Sequence, residues 1–122
     1  MNERLTARLA YQRGWQVVDG STVLATFATK EGAFQYLVDR GARVHLQWRR
    51  TKIGGQEPPY DFAAEFQSES VGRIKKELQG PSAGRWYWYQ GSSKGSIDTK
   101  GEAVFEVERA YTRIVVKADW PK

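Results

Sequence analysis

Apolar and polar residues change rhythm several times along the chain, and each rhythm predicts an element. Leu5, Ala7, Leu9 and Tyr11 alternate with polar positions, the period of a strand with one buried face, although a helix over residues 3–10 fits the same letters. "QRG" turns this segment into a second strand over Trp15–Val18. After a hairpin to Phe27, the rhythm lengthens: Ala33, Phe34, Leu37 and Val38 in "KEGAFQYLVDRG" form a helical stripe that Thr29 can cap and Gly41 can end. "RVHLQWRR" alternates Val44, Leu46 and Trp48 against His45, Gln47 and Arg49 and predicts one half-buried strand. "IGGQEPPYD" is a loop, since two glycines and a proline pair do not fit inside a ladder. "FAAEFQSE" and "VGRIKKEL" predict two short strands, and "QGPSAG" makes the turn into Trp86.

From Trp86 the chain reads as a second copy of an earlier passage. Residues 86–111 align with residues 15–41: Trp86 with Trp15, Gly91-Ser92 with Gly20-Ser21, Thr99-Lys100 with Thr29-Lys30, Ala103 with Ala33, with one residue deleted in the intervening loop. Phe27 and Ile97 each stand two before the threonine. Each copy predicts strand, turn, strand, helix. Thr99 and Glu102 have the spacing of a capping box, and Ala103, Val104, Val107, Ala110, Tyr111, Ile114 and Val115 recur at helical spacing. The expected order is β-β-β-α-β-β-β-β-β-α. This is an α+β fold of mostly antiparallel sheet, with helices at about 30–40 and 100–117. Two ββα-like units are joined by a β-rich segment over 44–78, all within a single compact domain over 1–122.

Composition adds a surplus of rings. The 122 residues are 40% hydrophobic and 27% charged, as in an ordinary globular protein, yet aromatics reach 13% with five tryptophans. Cysteine is absent, which excludes disulfides, thiolate metal sites and a cysteine nucleophile. The start lacks a signal-peptide apolar run and no segment has the roughly 20 apolar residues of a membrane span, so a cytoplasmic location without membrane contact is expected. Net charge is +5, which favours polyanionic partners. The excess is spread along the chain, with two local clusters: Arg43, Arg49, Arg50 and Lys52, and Arg73, Lys75, Lys76 and Arg85 beside the ring-rich stretch "RWYWY".

In a strand over 86–90, Trp86 and Trp88 point one way and Tyr87 and Tyr89 the other. Because Trp86 aligns with Trp15, the tryptophans are read as the core pair and the tyrosines as the outward pair. Outward rings interleaved with cations are what single-stranded nucleic acid grooves use, rings for the bases and charges for the phosphates. Tyrosines on a sheet face also stabilise cross-strand pairs or a subunit contact, and cations also guard sheet edges, so both of those readings stay open.

Two stretches carry resemblances. "VGRIKKELQGPSAGRWYWY" resembles a signature of small uncharacterised bacterial proteins, a Gly-Arg-Ile strand, a Gly-Pro turn and a Trp-x-Trp strand, covering residues 62–115 and implying no activity. "TFATKEGAFQYLVDR" resembles the strand-to-helix junction of the three-stranded DNA-binding domains of phage integrases and plant ethylene-response factors, which lay a sheet in the major groove. "WQVVDGSTVLATF" contains no Lys or Arg, so only the scaffold half of that resemblance applies. A β-rich unit closed by a helix is also similar in architecture to single-stranded DNA binders of the transcriptional-coactivator and Whirly type.

Catalytic patterns are weak. The one histidine, His45, sits on a polar strand face with Gln47 and Arg49, and Asp61, Glu65 and Glu69 lack the tail of a metal-dependent nuclease core. "GGQEPP" and "GSSKGS" lack a phosphate-loop pattern. The expectation is a small non-enzymatic binding module with no cofactor or metal, touching nucleic acid through Arg49, Arg50, Arg73, Lys75, Lys76, Arg85, Tyr87 and Tyr89. The alternative is a protein-interaction module, either a homodimer or an accessory or inhibitory protein that binds a partner complex.

Overall fold

The computed structural model describes residues 3–117. Among these residues nine strands and two helices follow in the order β1 (Arg4–Ala10), β2 (Gly14–Asp19), β3 (Thr22–Phe27), α1 (Lys30–Asp39), β4 (Arg43–Val44), β5 (Gln47–Arg50), β6 (Asp61–Phe66), β7 (Glu69–Lys76), β8 (Trp86–Gln90), β9 (Ser93–Ile97) and α2 (Lys100–Lys117). The fold is α+β with two sheets, a four-stranded one ordered β3-β2-β1-β4 and a five-stranded one ordered β5-β6-β7-β8-β9. All neighbours are antiparallel except β4, which pairs with β1 in parallel. The described residues divide into two compact units, one formed by residues 3–45 and 111–117, the other by Leu46–Ala110.

In the first unit α1 is set by its ends. Thr29 Oγ1 accepts from the Gly32 amide at 3.0 Å, and at the other end Gly41, at φ 72°, lets Gly41 N–H reach Val38 O and Ala42 N–H reach Leu37 O. These two bonds form a Schellman cap, which a left-handed glycine makes possible. Between the caps Ala33, Phe34 and Leu37 are buried with Leu5, Ala7, Val17 and Val44. Phe34 meets the Tyr111 ring edge-on at 5.8 Å, and Lys30 Nζ donates to the Tyr111 hydroxyl at 2.9 Å. β1 is a strand, which settles the alternative of a helix over residues 3–10. Its alternation overstates the core, because Leu9 is 60% and Tyr11 87% exposed. Parity fixes which way a side chain points, not how far along the strand the cover extends.

The predicted strand over residues 44–50 is two strands. Arg43 N–H bonds Glu3 O and His45 N–H bonds Leu5 O in the first sheet, while Gln47–Arg50 pairs with β6 in the second. At the crossover the backbone is held by side chains of α2. Val44 N–H donates to Thr112 Oγ1 at 2.9 Å, and Leu46 N–H and Trp48 Nε1–H both donate to Glu108 Oε2, at 3.0 and 3.1 Å. Thr112 and Glu108 are four residues apart, hence on one helix face, and are 1% and 0% exposed. Buried donors need acceptors, and these two residues supply them.

The second unit is a five-stranded meander with α2 on one face. The β6–β7 turn falls at Gln67-Ser68, both at positive φ, so the strands begin and end earlier than "FAAEFQSE" and "VGRIKKEL" suggest. Gly72 on β7 lets α2 come close, because a methyl there would overlap the Val107 Cγ1 atom. Lys100 Nζ lies 4.0 Å from the centre of the Phe62 ring, which stacks on Trp86 at 6.4 Å. At the helix start Glu102 N–H donates to Thr99 Oγ1 at 3.2 Å, and the Thr99 hydroxyl donates to Glu102 Oε1 at 2.8 Å. The carboxylate therefore answers the hydroxyl, a variant of the capping box.

The hairpins β2–β3 and β8–β9 share a register. Trp15 faces Phe27 and Trp86 faces Ile97, and each turn carries a left-handed glycine, Gly20 and Gly91. Both turns close equivalent pairs, Asp19 with Thr22 and Gln90 with Ser93. The extra residue of the first hairpin is therefore not in its loop, as the alignment of the letters suggests. It is taken up by a register shift beside Val17 and Val18. The sheets around the two hairpins differ in strand number and in the parallel pairing of β4.

Candidate nucleic-acid interface

Pairing across the five-stranded sheet assigns every side chain to a face. One row runs Arg50, Phe62, Ile74, Trp88, Gly95, and a second runs Trp48, Ala64, Gly72. This is the helix side, since Gly72 meets Val107, Trp48 meets Glu108 and Phe62 meets Lys100. Ile74 and Ala64 are fully buried there and Trp86 nearly so. The Trp88 indole lies across Gly95, where an added Cβ would sit 2.7 Å from Nε1.

The intervening rows face away from the helix. Arg49, Ala63, Arg73, Tyr89 and Lys94 form one row; Asp61, Lys75, Tyr87 and Ser96 form the next. Tyr89 is thus flanked by Arg73 on β7 and Lys94 on β9, and Tyr87 by Lys75 and Ser96, at the close range of directly opposed residues. Both tyrosines are half-buried by these neighbours. Arg85 reaches the same face, pairing with Asp98 and donating to Ser96 Oγ at 3.2 Å.

Of the eight residues expected at the site, this face brings together Arg49, Arg73, Lys75, Arg85, Tyr87 and Tyr89. It does not include Arg50 or Lys76. Period two turns each of these to the opposite side from its neighbour, where the Arg50 guanidinium lies 5.9 Å from the Phe62 ring centre and Lys76 Nζ 5.0 Å from that of Tyr60. Lys94 was missed. The signal was available in "YQGSSK", because a two-residue turn at Gly91-Ser92 sets Lys94 opposite Tyr89.

The carboxylates of this face hold its arginines. Asp61, 5% exposed, accepts from Arg73 Nε at 2.9 Å and Nη2 at 2.6 Å and from the Thr51 hydroxyl at 2.7 Å. Burial pushes the Asp61 carboxyl upward, but the hydrogen bonds from Arg73 and Thr51 and the charges of Arg73 and Lys75 outweigh it and leave the group below the usual aspartate value. The bond to Asp61 raises the Arg73 guanidinium in turn. Glu65 accepts from Arg49 Nε at 2.6 Å. Asp61 and Glu65, which look like metal-ligand candidates in the sequence, are therefore ion-pair partners on the sheet. Among the described residues no group of three or more His, Cys, Asp or Glu is placed to hold a metal ion, and no helix is long and apolar enough to cross a membrane.

The cations of this face, Arg49, Arg73, Lys75, Arg85 and Lys94, outnumber its carboxylates, and Lys94 has no ion-pair partner among the described residues. Chemically the face offers two rings, lysines without a carboxylate partner and arginines oriented by carboxylates. Comparison of the chain with protein-family models, with curated proteins and with solved structures gave no match.

Proposed function

We propose that the chain is a non-enzymatic binding module that takes single-stranded nucleic acid on the helix-free face of the five-stranded sheet. The observation that supports the reading is the row structure itself: Tyr89 between Arg73 and Lys94, and Tyr87 beside Lys75. Rings i and i+2 on a strand are about 6.6 Å apart, roughly twice the rise between stacked bases of a duplex strand. Two bases can each take a ring only when the strand is stretched and unpaired. Phosphates then fall beside Lys75 and Lys94, with Arg49 and Arg85 further out on the same face.

The test is binding of fluorescently labelled single-stranded DNA, duplex DNA and RNA, followed by anisotropy at about 50 and about 200 mM salt. Single strands are expected to bind more tightly than duplex. Tyr87→Ala combined with Tyr89→Ala should weaken binding at least about tenfold, since a base stacked on a ring contributes about 1–3 kcal/mol. Lys94→Gln should lower the salt slope by about one. Thermal melts of each variant should stay close to wild type, because these side chains lie outside the helix-covered core. No binding at the lower salt, or binding indifferent to both tyrosines, refutes the reading and leaves the face to a protein partner or a second copy of the chain.

A further inference from the structure

Arg50 and Lys76, which period two turns away from the tyrosine rows, meet a third cation on the helix side. Lys100, the first residue of α2, has its Nζ 4.0 Å from the centre of the Phe62 ring, and the Arg50 guanidinium lies 5.9 Å from the same centre. Together these distances put the two charges no more than about 10 Å apart. Lys76 lies over Tyr60, two residues before Phe62, and is paired directly opposite Trp86, on which Phe62 stacks. The three cations thus gather at one end of the sheet, where β5 and β7 finish and β6, β8 and α2 begin.

This cluster lacks the carboxylates that hold the arginines of the other face. Arg49, Arg73 and Arg85 pair with Glu65, Asp61 and Asp98, whereas Arg50, Lys76 and Lys100 have no ion-pair partner among the described residues. A ring orients a cation through its quadrupole but leaves the charge in place. One cation would cover the Phe62 ring; a second of the same sign adds repulsion. The ring is fixed by its stack on Trp86, which is 7% exposed. Arg50 and Lys100 are exposed, and a Cβ at Gly101 would meet no atom within 4 Å, so the surface beside Lys100 is open. Oriented cations at short range, exposed and without counter-charges, are complementary to an anion that carries more than one negative group.

We infer that Arg50 and Lys100, with Lys76 at the rim, form a site for two linked phosphates on the helix side of the sheet. The Arg50 guanidinium can donate paired N–H groups to one phosphate, and Lys100 brings a point charge to the next. A polynucleotide backbone and the phosphate chain of a nucleotide both carry this chemistry. Neither Tyr87 nor Tyr89 takes part, so the site stands or falls separately from the strand reading.

The test is titration calorimetry of the intact protein with inorganic pyrophosphate at about 50 mM salt, where exposed charges are only weakly screened. Binding should saturate, and Lys100→Gln and Arg50→Gln should each weaken it about tenfold, the lower end of what a hydrogen bond to a charged group contributes. Lys117→Gln, which removes the same charge from the last turn of α2, should change it less than about twofold. All three side chains are exposed, so circular dichroism should show the variants folded. Absence of saturable binding, an equal loss in Lys117→Gln, or a loss in Lys94→Gln without one in Lys100→Gln overturns the site. Anisotropy of a labelled single strand then separates the sources. A salt slope lowered by about one in Lys100→Gln assigns the site to a polynucleotide backbone. An unchanged slope, with adenosine diphosphate displacing pyrophosphate, assigns it to a nucleotide. If neither is seen, pyrophosphate is held by net charge alone and the site is overturned. Binding of pyrophosphate and adenosine diphosphate without any strand upholds this site while the strand reading falls; strand binding that needs Tyr87 and Tyr89, without pyrophosphate binding, does the reverse.

Discussion

Whether the tyrosine face is free depends on α2 packing on the other side of the sheet, and Gly72 is where that packing can be tested. A methyl at position 72 would overlap Val107 Cγ1 and lie 3.0 Å from the Tyr89 carbonyl oxygen. Carbon contacts settle at about 3.5–4.0 Å, so Val107 must retreat by roughly an ångström. A helical valine has one strongly preferred rotamer and cannot swing aside. Overpacking of this kind costs about 1–3 kcal/mol, against which removing a strand glycine returns about 0.5–1 kcal/mol. Gly72→Ala should therefore destabilise by about 1–2 kcal/mol in urea unfolding followed by circular dichroism. Val107, fully buried, loses two methyl groups in Val107→Ala, for about 1–3 kcal/mol. The double variant is the decisive one. With the clash removed and the cavity partly filled by the new methyl, it should be no less stable than Val107→Ala alone, a coupling of at least about 1 kcal/mol. If the two effects add within about 0.5 kcal/mol, the helix does not sit over Gly72, and the assignment of faces fails with it. Val107→Ala should leave nucleic acid affinity unchanged, because Val107 lies on the helix and not on the tyrosine rows.

Two further outcomes follow from the polar groups. Glu108→Ala strands the Leu46 amide and the Trp48 indole N–H, both donors to Glu108 Oε2. At about 1–3 kcal/mol for each unsatisfied group, urea unfolding should show a loss of about 3–5 kcal/mol, with Glu108→Gln costing less; a loss below about 1 kcal/mol would refute the role. The Asp61 carboxyl is held below its unfolded value, which is about 3.9. Its contribution to stability is therefore fully present above that pH and is lost as pH falls through the lower folded value. Stability measured from pH about 5 down to about 2 should fall less steeply in Asp61→Asn than in wild type, and identical acid limbs would exclude the Arg73 pair as the cause.

The elements were legible in the sequence wherever one local pattern decided them. Thr29 with Gly41, and Thr99 with Glu102, mark helix ends that the structure reproduces to within a residue. The opposed directions of Trp86 and Tyr87 follow from period two alone. What the letters did not show is pairing. "RVHLQWRR" has the alternation of one strand, but its two halves serve different sheets, and the break is held by Glu108 and Thr112, polar residues in an otherwise apolar helix stripe. A buried glutamate whose partners lie about 60 residues away in sequence has no local signature. The register shift beside Val17 is equally silent, since an inserted residue looks the same in a strand as in a loop.

The same distinction governs the charges. In the sequence, Arg49-Arg50 and Lys75-Lys76 are clusters, and clustering suggests a phosphate-binding edge. On a strand, adjacent residues cannot share a face, so each doublet contributes only one cation to the tyrosine rows. Those rows acquire other charges through pairing: Lys94 arrives from β9 opposite Tyr89, and Asp61 and Glu65 arrive from β6 beside Arg73 and Arg49. The carboxylates lower the positive potential, yet they also fix two guanidiniums that would otherwise sample many rotamers. Ordering a side chain costs conformational entropy whenever it is first held at an interface, and here Asp61 and Glu65 meet that cost within the folded protein. A face built in this way trades long-range attraction for position: two of its guanidiniums are already oriented before any partner arrives.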